Sequence, residues 1–285
     1  MANERRVRLP AVAGMFYPGD RTALERSVRE LLAAANAHPL PQPPAALVVP
    51  HAGYVYSGPI AARAYRTLAP FAQRYRRVAL FGPSHFVPFR GLAVPASRAF
   101  ATPLGEVPVD EDARARLRSL PFVRESDAPH EPEHSLEVQL PFLQLVLPGR
   151  PVLPIACGEA DPEEVAAAME RAVEAEETLL LVSTDLSHYY DWATARRLDE
   201  ETARAVESLR PEALGPDSAC GRVPLRGLLV WAAGHGLEPV RLDLRNSGDT
   251  AGDRSRVVGY GAWAFLPPAD SRRAPSGTTA GAGLR

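Results

Sequence analysis

Four short runs of unbroken apolar character constrain this chain more than any other feature: residues 46–50 (ALVVP), 77–81 (RVALF), 151–156 (PVLPIA) and 178–183 (TLLLVS). Runs of this length without polar alternation read as strands buried on both faces. Helical spacing fills the intervals, at 21–37, 59–68, 110–120, 135–147 (with Pro141 early in it) and 161–176, and again at 193–209 and 223–233. Residues 91–95 offer a further strand, and strands return near 240–245 and 257–265. Alternating strands and helices predict a single α/β domain over residues 1–266, with a mostly parallel central sheet flanked by helices and some antiparallel edge strands. The Pro-rich stretch 38–44 reads as a connector, and 267–285, rich in Pro, Gly, Ser and Ala, as a disordered tail.

In a parallel sheet the carboxyl ends of the strands form the edge where ligands bind. Polar clusters stand at that edge or at helix starts: Pro50-His51-Ala52-Gly53-Tyr54, Gly82-Pro83-Ser84-His85, Ser183-Thr184-Asp185-Leu186-Ser187-His188 and Ala219-Cys220-Gly221-Arg222. A lone histidine after a strand is most often a hydrogen-bonded turn residue. Two of them, each in a Gly/Pro-rich turn after a buried strand, point instead to a shared metal ion, since neutral imidazole is the commonest metal ligand. Cys220 precedes a helix, with Arg222 two residues on; both features favour a thiolate, while a packed thiol is the plainer alternative. Asp185 and His188 suit an orienting carboxylate and a general base, or a solvated loop pair. Glu133, His134 and Glu137 suit groups that orient a metal-bound imidazole, or an acidic helix start favoured by its dipole.

Composition narrows the chemistry. All 32 basic residues are arginine. A chain without lysine forms no Schiff base, anchors no pyridoxal phosphate and completes neither a Walker-type phosphate loop nor a serine–lysine site. A net charge of −2 advertises neither a nucleic-acid nor a membrane partner. Without a signal-peptide pattern or a spanning apolar run, the expected location is the cytoplasm. The two cysteines could pair but are more readily read as separate thiols, with Cys157 structural.

The motifs PHAGYVYSG, GPSHFVP, EHSLEVQLPFL, STDLSHY and CGRVP, in this order, resemble the Memo family, also called AmmeMemoRadiSam system protein B. The likeness runs from AGMFYPGD at residue 13 to GYGAWAF ending at residue 265, nearly the whole chain. It implies a fold similar to the LigB-type, class III extradiol dioxygenases, and a metal on His51, His85 and Cys220. It puts His188 where those enzymes keep a catalytic acid/base. The residues themselves, apart from the resemblance, offer Asp185 beside it and Tyr54, Ser84, Glu133, His134, Glu137 and Arg222 around the ligands or pocket. A thiolate in place of the dioxygenases' carboxylate makes the set softer, open to Fe(II), copper or zinc. The resemblance favours iron.

Three functions are expected from these residues and this resemblance. One is a non-haem iron oxidoreductase acting on a small or peptidic substrate. Another is a peptide-binding module with a relict metal pocket, lined by Tyr54, Tyr56, Tyr189, Tyr190 and Trp192. The last, implied by the family's name, is one component of a modification pathway alongside radical SAM and AMMECR-type proteins. The chain lacks a CxxxCxxC run, so it is not itself the radical SAM component, and it lacks the HExxH helix of zinc hydrolases.

Overall fold

The computed structural model describes residues 6–36, 39–173 and 177–268. In chain order the elements are β1 (Val7–Arg8), α1 (Arg21–Ala34), β2 (Ala46–Val49), α2 (Tyr54–Arg66), β3 (Arg77–Pro83), β4 (Leu92–Val94), β5 (Ala99–Thr102), β6 (Gly105–Pro108), α3 (Glu111–Leu117) and β7 (Val123–Glu125). They continue with α4 (Leu140–Val146), β8 (Val152–Cys157), α5 (Pro162–Val173), β9 (Thr178–Ser183), β10 (His188–Tyr190), α6 (Trp192–Glu207), α7 (Arg222–Gly234), β11 (Glu238–Asn246), α8 (Ser247–Thr250) and β12 (Val257–Leu266).

The four apolar runs become adjacent parallel strands in the order β2-β9-β3-β8, and almost every residue in them is buried. Their register aligns Val49 with Ser183, and Phe81 with both Val182 and Ile155, so the strands end on one edge. Helices cover the sheet, burying stripes such as Val165, Ala168, Met169 and Ala172 on α5. The fold is α/β, as the alternation predicts.

The sheet is more mixed than expected. On one side β12 runs antiparallel to β2 and pairs antiparallel with both β10 and β11. On the other, β4 runs antiparallel to β8 and carries β7. A separate small sheet joins β1, β5 and β6. The sequence points to some antiparallel edge strands, and β11 and β12 match the strands expected near 240–245 and 257–265, whereas β1, β5, β6 and β7 are too short to leave a periodic signature. Helix α2 also begins earlier than Pro59 suggests, because burial of Tyr54, Ser57, Gly58, Ala61, Ala62 and Tyr65 outweighs the proline inside it. The expected tail lies outside the described residues from position 269 onward. Among the described residues, no helix is long and apolar enough to cross a membrane.

Two close approaches let the strand ends carry side chains into one place. A Cβ on Gly82 would lie 2.9 Å from the side chains of Leu136 and Ser135, so glycine lets the segment bearing Glu133 and His134 settle on β3. A Cβ on Gly221 would lie 2.6 Å from Thr184 Cβ, so glycine lets the start of α7 meet the end of β9. The Gly221 N–H donates to Thr184 Oγ1 (2.9 Å) and the Cys220 N–H to the Asp185 carbonyl (3.2 Å), pinning the cysteine there.

Candidate metal centre

His51 stands two residues beyond β2, His85 two beyond β3, and Asp185 two beyond β9. The His51 N–H donates to Asp185 Oδ1 (2.7 Å), locking the two loops together. The His51 ring lies 5.3 Å from that of His85 and 5.4 Å from that of His134, centroid to centroid, nearly perpendicular to both. His85 and His134 stack at 4.7 Å. One ligand atom from each of these three rings falls within 4.8 Å of the others, a spacing that could hold a metal ion. Cys220 Sγ lies 3.1 Å from His51 Nε2.

Glu133 organises one side of this group. It accepts from the backbone N–H of His85 (2.6 Å), from His85 Nδ1 (2.9 Å) and from the Ser135 N–H (2.8 Å). Because a carboxylate accepts the Nδ1 proton, His85 Nε2 is left as the ring's lone-pair nitrogen. Burial alone would raise the Glu133 pKa, but the His85 and Ser135 hydrogen bonds outweigh it and bring it down to about 2. His134 Nδ1 sits 3.5 Å from the same carboxylate, buried and without a hydrogen bond. An orphaned buried nitrogen among lone-pair donors is what a cation site offers.

Burial, reinforced by the neighbouring His85, lowers the His51 pKa to about 3. Burial and then His51 lower that of His134 to about 4. Both imidazoles are therefore neutral and ligand-competent at neutral pH. Unfolded histidine titrates near 6.5, so below that pH the unfolded chain binds protons that these rings refuse, and stability falls with falling pH. Each such ring costs roughly 1.4 kcal/mol per pH unit until its own folded value is reached. Glu133 adds a loss of the same sign from about 4.5 down to about 2. Urea midpoints of metal-free protein should drop steeply from pH 7 to pH 4.5; a flat profile would contradict these protonation states.

Cys220 differs from the sequence expectation. Burial and the nearby Asp185 carboxylate push its thiol up to about 12, whereas the helix start and Arg222 suggest a lowered value. The Asp185 N–H does donate to Sγ (3.4 Å), yet burial dominates. The metal-free group is a thiol. Cys157 is buried at the end of β8, its pKa also raised by burial, and both cysteines are free.

The remaining candidates divide. Asp185 and His188 line the same cleft as the three rings, a space of about 830 Å³ that also meets Phe16, Val55, Tyr56, Tyr189, Arg256 and Tyr260. His188 Nδ1 donates to the Leu186 carbonyl (2.7 Å), leaving Nε2 as its acceptor nitrogen. His188 opens β10 rather than lying in a loop, and the positive φ of Tyr189 (66°) interrupts that short strand. Glu137, expected beside the metal, is instead committed to Arg8 and to the N–H groups of Ala11 (2.7 Å) and Val12 (3.0 Å). Tyr54 is buried, its hydroxyl donating to the Val138 carbonyl, and Ser84 bonds the Val87 carbonyl. Tyr56 and Tyr189 line the cleft, but Trp192 bonds Asp249 and borders a different groove.

The family model described as Memo-like protein matches residues 8–264. The chain belongs to the Memo family. A MEMO1 family protein of Aquifex aeolicus (strain VF5) is 34% identical over 275 residues, covering 92% of this chain and 100% of that protein. One from Thermotoga maritima is 37% identical over 274 residues, covering 89% and 97%. In structure, the chain is similar to uncharacterized protein JW3007 from Escherichia coli K12, with a TM-score of 0.53 at 15% identity over 76% of this chain and 98% of that one. That likeness concerns the fold alone.

For this Memo-family chain, the sequence puts His134 one remove from the ion, whereas its ring belongs to the three-histidine group itself. The available signal is its place next to Glu133 in EHS. Arg8, which holds that segment from below, carries no signal at all.

Proposed function

We propose that this Memo-family protein is a non-haem iron oxidoreductase, similar in chemistry to the LigB-type dioxygenases, acting on a small organic or peptidic substrate. His51, His85 and Cys220 hold the ion, with His134 alongside. The observation that carries this reading is the approach of Cys220 Sγ to His51 Nε2 (3.1 Å) in the cleft shared with His85 and His134. The donors suit the group: two imidazoles with lone pairs available and one sulfur form a set that accepts iron, copper or zinc. Iron there would supply the redox chemistry. The chain's own work is then binding and proton transfer. Phe16, Val55, Tyr56 and Tyr189 offer an apolar wall for the substrate. His188, with Nε2 free, takes a proton from it, and Asp185 fixes the backbone of His51.

An oxygen electrode tests this with Fe(II)-loaded protein and a panel of small phenols and short peptides. Uptake should fall at least a hundredfold in His188→Ala at unchanged iron content. Equal uptake in both proteins removes His188 from the mechanism. The exposed side chains Met15, Val55, Tyr56 and Tyr189 at the cleft favour one second reading, a peptide-binding module. Peptide binding that survives metal removal and His51→Ala, with no uptake on any substrate, would favour it instead.

A further inference from the structure

The hydroxyl of Ser183, at the end of β9, is fully buried and has three polar neighbours. It lies 2.6 Å from the Ser135 carbonyl, 2.8 Å from Gln139 Nε2 and 3.0 Å from His51 Nδ1. A serine oxygen has one proton to give and two lone pairs to receive with. The Ser135 carbonyl can only accept, so it takes the proton. Gln139 Nε2 can only donate, so it takes one lone pair. The remaining lone pair faces His51 Nδ1, which must therefore carry a hydrogen.

The orientation of Gln139 is settled independently. Its Nε2 also contacts the Pro50 carbonyl (3.0 Å), which needs a donor, while its Oε1 lies 2.8 Å from the Tyr65 hydroxyl. Flipping the amide would set oxygen against oxygen at Pro50. Gln139 and Tyr65 are buried, so no solvent rescues a mismatched contact.

We propose that Gln139 and Ser183 are positioning residues that fix His51 as the Nδ1–H tautomer, presenting a bare Nε2 lone pair to Cys220 and to the metal. Ser135 joins this network to that of His85. Its N–H donates to Glu133, the acceptor of the His85 Nδ1 proton, and its carbonyl receives the Ser183 hydroxyl. The backbone of one residue thus holds the orienting groups of two ligands that follow separate strands. The orientation is built before any ion arrives, which lowers the reorganisation needed to bind one.

The role in metal binding rests on the metal-centre reading; the tautomer does not, and the experiment separates them. Long-range ¹H–¹⁵N correlation spectra of metal-free protein at pH 7.5 read the protonated nitrogen of each imidazole, with His51 assigned by comparison with His51→Gln. Competitive titration reads affinity for Zn(II), a redox-inert probe. Wild type should show His51 protonated at Nδ1. Ser183→Ala should shift His51 toward Nε2–H and weaken Zn(II) binding by roughly ten- to a hundredfold. Ser183→Thr, which keeps the hydroxyl, should restore both. Protonation at Nε2 in wild type overturns the proposal, and that measurement stands even if Ser183→Ala fails to fold. An unchanged tautomer in folded Ser183→Ala overturns it too. The Nδ1–H tautomer in a wild-type protein that binds no Zn(II) would support the network while refuting the metal centre.

Discussion

Zn(II) affinity should climb about tenfold for every pH unit between 7 and 8.5, and that slope should vanish in Cys220→Ala. The expectation rests on the protonation states of the donors. His51 and His134 are already neutral at pH 7, their pKa values lowered to about 3 and about 4 mainly by burial, so binding to them displaces no proton. Cys220 is protonated throughout this range, pushed up to about 12 by burial and by Asp185. Only as a thiolate does it bond strongly to an ion, so its recruitment releases one proton and makes the apparent constant rise with pH. A three-histidine site excluding the sulfur would give a nearly flat profile. Competitive titration against a chelator of known pH dependence supplies the measurement, with His134→Ala as the contrast. His134→Ala should keep the slope. A flat wild-type profile would transfer the third ligand from Cys220 to His134.

That contrast also marks where the sequence is legible. The strands β2, β3, β8 and β9 stand out because burial on both faces leaves no polar residue to interrupt the run, and parallel pairing brings the loops leaving their carboxyl ends to one edge. His51, His85 and Asp185 are readable for that reason. His134 comes after no strand. It reaches the group because the segment carrying it is folded over β3, through contacts of Glu133 with His85 and of Ser135 with Pro83, and is held by Arg8 from far earlier in the chain. Glu137 is misread for the same reason: nothing local tells that its partner is Arg8. The acidity of Cys220 is misread because a helix start and a nearby arginine are visible in sequence, whereas burial beside Asp185 is a tertiary fact. Gln139 and Ser183 illustrate the limit further. Neither residue type is unusual, and only the geometry of their shared hydrogen bonds gives them a role.

The second large effect concerns the buried Arg8–Glu137 pair. Glu137→Gln should destabilise the protein by about 3–5 kcal/mol, because it leaves the Arg8 guanidinium buried without a counter-charge. Both side chains are almost completely removed from solvent, at 2% and 0% exposure. Glu137 accepts from Arg8, Ala11, Val12 and the Tyr17 hydroxyl, tying down the segment that precedes α1. Arg8 donates to the carbonyls of His130 (3.0 Å), Glu131 (3.3 Å) and Glu133 (2.7 Å), so it holds the loop that bears two of the site's groups. In a chain of this size the loss corresponds to a melting temperature lower by on the order of 10 °C. Removing both charges, in Arg8→Met/Glu137→Gln, should destabilise by less than the sum of the two single changes, since the second substitution no longer strands a charge. Chemical denaturation of the four proteins measures the coupling directly. Zn(II) affinity provides a second readout: it should weaken in Arg8→Met even where the protein remains folded, because the Glu133 carbonyl loses the donor that fixes it. A coupling near zero would mean that the pair is not acting as the anchor of the loop, and unchanged affinity would detach that anchor from the metal centre.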